Sequence, residues 1–189
     1  MSGESDWVDL LRPSIEKSLS AKSLSVETSF QLAYALNIRG HKKKPAGKST
    51  LDLAEYDSRS YATDLLIAEE DDTNWIPRVV VEFKLTRVTT HDLLTYSAKA
   101  ATHKALYPHL RYGIVIGRKA LLSPKLLWHG QNFDFMLALP TEATAGADHR
   151  KLCALLRDEV EASRTMSRLL ARQTKVALIH RKLVISRNR

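Results

Sequence analysis

The side chains best placed to do chemistry are Asp64, Glu82 and Lys84, all within Tyr61–Arg87, a stretch that reads as two apolar strands joined by a polar turn. The second strand, VVVEFKL from Val79 to Leu85, alternates so that Glu82 and Lys84 project from one face. Val79, Val81, Phe83 and Leu85 then point from the other face into a core. A charge buried without a partner is costly, so two ionised groups on so apolar a strand call for a reason. Asp64, inside the apolar run of the neighbouring strand, supplies one. Two carboxylates can hold Mg²⁺, a hard cation that prefers oxygen ligands. A lysine beside them can orient or polarise water and balance phosphate charge. That set is what metal-dependent hydrolysis of a phosphodiester requires. The plainer reading is a salt bridge on a solvated sheet face, because Glu-x-Lys by itself is common.

Asp64 followed by Glu82-x-Lys84 on the next strand resembles the PD-(D/E)xK nuclease superfamily, over roughly residues 25–117. Thr63 stands where the family's pattern has Pro. The resemblance implies a core of helix, three antiparallel strands, helix and strand, with Asp on the second strand and Glu-x-Lys on the third. It implies Asp64 and Glu82 as metal ligands, with the backbone carbonyl of Phe83 as a further one, and Lys84 as the catalytic lysine. A Glu on the helix before the first strand often reaches the metal in this family. Glu27 is the residue carried over, with Glu16 behind it; the alternative for Glu27 is a solvated acid favoured by the helix dipole. DLLTY, Asp92–Tyr96, is similar to the Gln-xxx-Tyr element of RecB-like nucleases, with Asp in place of Gln. It makes Tyr96 and Lys99 substrate-side candidates, against a reading as ordinary helix surface.

The elements that must position these residues follow from periodicity. Trp7, Leu10, Leu11, Ile15 and Leu19 recur at helical spacing behind Asp6, predicting a first helix over residues 6–19 in which Pro13 can shift the start. Residues 18–25 read as a polar linker. A second helix is predicted from the N-cap Ser25 to Gly40, with Val26, Phe30, Ala33 and Leu36 in one stripe. Leu51–Tyr56 alternates as a strand, DSRS reads as a turn, and the Asp64 and Glu82 strands complete a meander, with Pro77 admissible only near a strand's beginning. Asp52 and Asp57 rival Asp64 but lie on the preceding strand or turn, and Asp71 and Asp72 read as turn residues. Arg87–Leu106 is predicted as a helix capped by Thr89 or Thr90 and stopped by Pro108, with Arg111–Gly117 as the strand after it. A further strand is expected over Asn132–Leu139, and an amphipathic helix over Arg150–Arg172, with Cys153 packed inside it. The last residues fit an edge strand or a helix equally.

A formal net charge of +8 and a pI near 9.6 suit a polyanionic partner such as DNA or RNA. The basic run RGHKKKPAGKST supplies Lys42, Lys43, Lys44 and Lys48 as candidate phosphate-backbone contacts, or as a solvated loop. Its GKST end is no Walker A motif, since Lys42 stands where the first Gly is needed and no strand precedes it. The seven histidines have no HExxH spacing, and a single cysteine excludes a disulfide framework or a Cys-rich zinc site. The polar start is no secretory signal and no apolar run reaches membrane-spanning length, so a cytoplasmic protein is expected.

Together these readings predict an α/β, restriction-endonuclease-like single domain over residues 1–189, with a mixed central sheet flanked by helices. It would cleave phosphodiesters with Mg²⁺, or Mn²⁺ as substitute, DNA being preferred to RNA because the resembled family mostly cuts DNA. A homodimer would let two sites cut both strands. The rival readings are a catalytically inactive nucleic-acid-binding or assembly protein with the same fold, and an interaction module docking on an acidic partner.

Overall fold

The structure is a computed structural model that describes residues 3–19, 23–41, 54–70, 73–85, 87–142, 144–174, 176–179 and 184–185. Its elements run α1 (Glu4–Leu19), β1 (Leu24–His41), β2 (Ala54–Glu70), β3 (Trp75–Leu85), α2 (Thr90–Leu106), β4 (Arg111–Gly117), α3 (Lys125–His129), β5 (Phe135–Leu139) and α4 (Gly146–Leu170). The strands form one sheet in the order β1-β2-β3-β4-β5. The first three are antiparallel and the last three parallel, so the sheet is mixed.

The run of Val79, Val80 and Val81 explains why β3 is central: branched side chains bury well on both faces of a pleated strand. On one face Val79, Val81 and Phe83 pack with Leu65 and Ile67 against α1 and α4. On the other, Val80, Leu66, Tyr112 and Ile114 pack against Leu93 and Ala100 of α2 and Leu126 of α3. The result is three layers, helices on either side of the sheet. No described helix is long and apolar enough to cross a membrane.

Several expected elements appear nearly as read. α2 starts at an N-cap, Thr89, whose hydroxyl accepts from the Asp92 N–H while the Asp92 carboxylate accepts from the Thr89 N–H. β4 has the expected bounds, β5 is shorter at its start, and α4 begins four residues earlier than expected. Pro77 sits opposite Ala68 where the β2–β3 register shifts, so the bulge takes up its missing N–H. α1 starts at Glu4 and carries Pro13 inside it; Asp6 accepts from the Gly3 N–H at 2.8 Å at the helix start.

Residues 25–40 are a correction. They form a strand, not a helix, and DSRS is strand interior rather than a turn. β1 fails to show a period of two for a physical reason. Ser29 has φ 54°, which turns the strand over, so Val26 faces α1 while Phe30 and Leu32 face α2. Register shifts at Ala33/Ala35 and Ile38/Gly40 break the alternation twice more. The surviving spacing of Val26, Phe30, Ala33 and Leu36 imitates a helix. The helix before the first strand is therefore α1, and the first strand is β1 rather than Leu51–Tyr56, whose described residues 54–56 are the start of β2; with both changes the order is helix, three strands, helix, strand.

Candidate active site

The site forms where β2 and β3 part. Their ladder runs to Leu65 opposite Val81 and stops. Asp64 and Glu82 are the next residues along, one on each strand at the fork. A main-chain donor that loses its ladder partner must find another. The Phe83 N–H donates to Asp64 Oδ2 at 2.7 Å, so the carboxylate stands in for the missing strand. Asp64 is half-buried, and a cavity of about 90 Å³ opens beside it, walled by Glu4, Ser5, Asp9, Thr28 and Ser29.

Glu82 is 1% exposed. Its Oε1 accepts from the Tyr112 hydroxyl of β4 and from Lys99 Nζ of α2 at 3.3 Å. Its Oε2 is buried with no hydrogen-bond partner among the described residues. Burial, and next the negative charge of Asp64, push the Glu82 carboxyl up to about 7, against the opposing pull of Lys99 and Tyr112. Tyr112 is buried as well, and burial followed by the Glu82 charge raises its hydroxyl above the ordinary range, so it stays a donor.

Lys84 shares the α2 face with Glu82, as the alternation requires, but its ammonium reaches Glu4 Oε2 at 2.8 Å. Glu4 Oε1 also accepts from the Leu85 N–H at 3.2 Å. Glu4 is placed there by Trp7, one turn along α1. The Trp7 ring meets Phe83 edge-on, centroids 5.1 Å apart, and lies so close to Gly117 that a Cβ there would fall 2.7 Å from it. Burial works against the charge on Lys84, but Glu4 and Tyr96 outweigh it and hold the ammonium above the ordinary lysine range.

α2 turns Tyr96, Lys99 and His103 toward Lys84, Glu82 and Tyr112, at the spacing of one helix face. Two ammonium groups, Lys84 Nζ and Lys99 Nζ, each lie 5.2 Å from the Tyr96 ring centroid. Tyr96 and Lys99 therefore belong to the Glu82 neighbourhood, not to a plain helix surface. His103 Nδ1 lies 3.2 Å from the Ala33 carbonyl, its ring stacks on Tyr112, and burial lowers its pKa.

The other candidates fall elsewhere. Glu27 lies on β1 and faces Arg12 of α1 at 3.8 Å; Glu16 is an exposed residue of α1, and the acid α1 brings to Lys84 is Glu4. Asp57 is exposed and pairs with Arg39 at 3.2 Å. Lys42, Lys43, Lys44, Lys48, Asp52, Asp71 and Asp72 lie outside the described residues. Among the described residues no three His, Cys, Asp or Glu side chains converge as a ready metal cage. A larger cleft of about 540 Å³ lies between β3 and the end of α4. Its Arg78 and Arg164 both bond Glu69, and its Arg168 donates to the Thr165 hydroxyl at 3.1 Å.

Sequence reasoning missed Glu4 and Tyr112. Glu4 was hidden by assigning the helix before the first strand to the wrong segment. Tyr112 had a signal: a phenol in an otherwise apolar, buried strand needs a hydrogen-bond partner. Compared with known protein families and with curated proteins, the chain matches none.

Proposed function

We propose that the fork between β2 and β3 is the active site of a divalent-cation-dependent nuclease that hydrolyses phosphodiesters in nucleic acid, DNA first. The observation that carries this reading is Glu82 Oε2, a carboxylate oxygen buried without a partner beside a second carboxylate, Asp64. Two carboxylates forced together at a strand fork repel unless a proton or a cation intervenes.

The donor set fits Mg²⁺. That ion keeps several waters and is commonly bound by one or two carboxylates together with substrate phosphate, so a cage of three protein acids is not required. Asp64 and Glu82 would hold it, with the Phe83 carbonyl as a further oxygen. When bound, the ion supplies polarisation of a phosphoryl oxygen and a more acidic water. The chain's own residues do the rest. Tyr112 and Lys99 fix Oε1 of Glu82 and so aim Oε2. Lys84, kept charged by Glu4 and Tyr96, would meet the charge that develops on the phosphoryl group. Lys42, Lys43, Lys44 and Lys48, between β1 and β2, would contact phosphates.

A second reading has one observation in its favour. The Lys84 ammonium is engaged with Glu4 and not with the two carboxylates. On that reading the protein binds nucleic acid or assembles with it, and the charged groups are structural.

The two separate in one experiment. Plasmid, linear duplex and single-stranded DNA are incubated with Mg²⁺, with Mn²⁺ or with EDTA, beside Glu82→Ala and Lys84→Ala. Cleavage that needs metal and is lost in both variants supports the nuclease. Salt-sensitive binding, with no cleavage and no response to metal, replaces it with the second reading.

A further inference from the structure

Four side chains continue the site away from the catalytic lysine in a single row. Lys84 Nζ lies 5.2 Å from the Tyr96 ring, and Lys99 Nζ lies 5.2 Å from its centroid as well. Lys99 also stands 5.6 Å from the Tyr61 ring of β2, and Tyr61 stacks on Tyr34 of β1 with centroids 4.0 Å apart and planes 8° apart. Cations and aromatic faces thus alternate from the fork out to the sheet's edge strand. The row is tied to the site at Lys99, which bonds Glu82 at 3.3 Å and the Ala62 carbonyl at 3.1 Å.

Its outer end is not a core. Residues 55–62 of β2 are exposed, and Tyr61 is 37% exposed. Before Leu65 the β2 strand pairs with β1 but not with β3, so this part of the sheet is a two-stranded ribbon. Tyr34 sits at the register shift between Ala33 and Ala35, and an extra residue in a strand re-aims its side chain.

We infer that this row is a stacking platform for an unpaired strand of the substrate, with a base resting on the Tyr34–Tyr61 pair and phosphates following Lys99 and Lys84. The inference rests on the nuclease reading and names its substrate class. Inside a duplex, base faces are occupied by neighbouring bases, so an aromatic face selects a nucleotide that is single-stranded or extruded. Alternating aromatic rings and cations are the general means of holding such a strand, because every base has a π-face and every linkage a charge. A pair serving only to brace the ribbon would give no preference for single strands.

The test is binding in EDTA, which keeps it separate from cleavage. Oligo-dT, oligo-U and a duplex of equal length are titrated with the full chain, and with Tyr34→Ala and Tyr34→Phe. Each strand carries one 2-aminopurine, whose fluorescence falls when it stacks. Expected are tighter binding to a single strand than to duplex, quenching on binding, and both lost roughly 5- to 100-fold in Tyr34→Ala while Tyr34→Phe retains them. Melting curves confirm that the variants fold. Equal affinity for duplex, or a Tyr34→Ala protein that binds and quenches like the wild type, overturns the inference. Metal-dependent cleavage alongside that result leaves the site reading standing. The expected binding without cleavage does the reverse.

Discussion

Replacing Glu82 by Gln should remove a pH-dependent instability that the metal-free protein carries. The native carboxyl, raised from 4.5 to about 7 by burial and by Asp64, takes up its proton at a pH where the unfolded chain has already released it. Between those two values the native state holds more protons than the unfolded state, so stability falls as pH rises. It levels off once pH exceeds the native value. The interval from 4.5 to about 7, at about 1.4 kcal/mol per pH unit, is worth about 3 kcal/mol. A domain of this kind is held by only about 5–15 kcal/mol in all, so the loss is measurable. Gln has the same shape and keeps an oxygen for Tyr112 and Lys99, but cannot ionise. Its amide at the place of the unpartnered Oε2 would itself lack an acceptor, an offset of about 1–3 kcal/mol that does not depend on pH. The slope is therefore the clean quantity. Urea unfolding in EDTA from pH 4 to 8.5 should show wild-type stability declining through that window and a shallower curve for Glu82→Gln. Parallel curves would refute the burial of an ionisable carboxylate beside Asp64. Saturating Mg²⁺ at pH 8 should restore stability to the wild type alone, by about 2.7 kcal/mol at a hundred times the dissociation constant.

Glu4→Gln tests the lysine. It removes the charge that engages Lys84 while leaving an oxygen for the Leu85 N–H, and should lower turnover about tenfold. Urea unfolding should move by less than about 1 kcal/mol, because Glu4 is partly exposed and such pairs stabilise little; an effect on stability without one on turnover would favour a structural pair. Gly113→Ala tests the packing of β4 against β5. A Cβ there would stand 2.3 Å from the Phe135 ring, so unfolding should be easier by about 1–3 kcal/mol or more; an unchanged urea midpoint would contradict the packing.

What the sequence disclosed tracks how regular the backbone is. β3, α2 and β4 obey their periods and carry ordinary signals, the alternation of VVVEFKL and the Thr89–Asp92 cap, so the strand that holds Glu82 and Lys84 was legible, whereas β2, which holds Asp64, runs on through the DSRS segment that reads as a turn. β1 was not, because one left-handed residue, Ser29, and two bulges conceal a strand behind helix-like spacing. That one error put Glu27 on a helix, whereas the helix acid that reaches Lys84 is Glu4. Tyr96 and Lys99 could be named from their helix, but their grouping around Lys84 and Glu82 depends on a fork that no local pattern announces. Tyr112 reaches Glu82 only through the parallel pairing of β3 with β4, a long-range fact.

The most direct test of the central claim is cation binding itself. Mn²⁺ is titrated into the wild type, Asp64→Asn and Glu82→Gln near pH 8, following loss of the free-ion resonance. Saturable uptake by the wild type, weakened at least tenfold in both variants, is the expected result. No uptake by the wild type, or equal uptake by all three, would contradict a metal site at the fork and leave Asp64, Glu82 and Lys84 as structural charges.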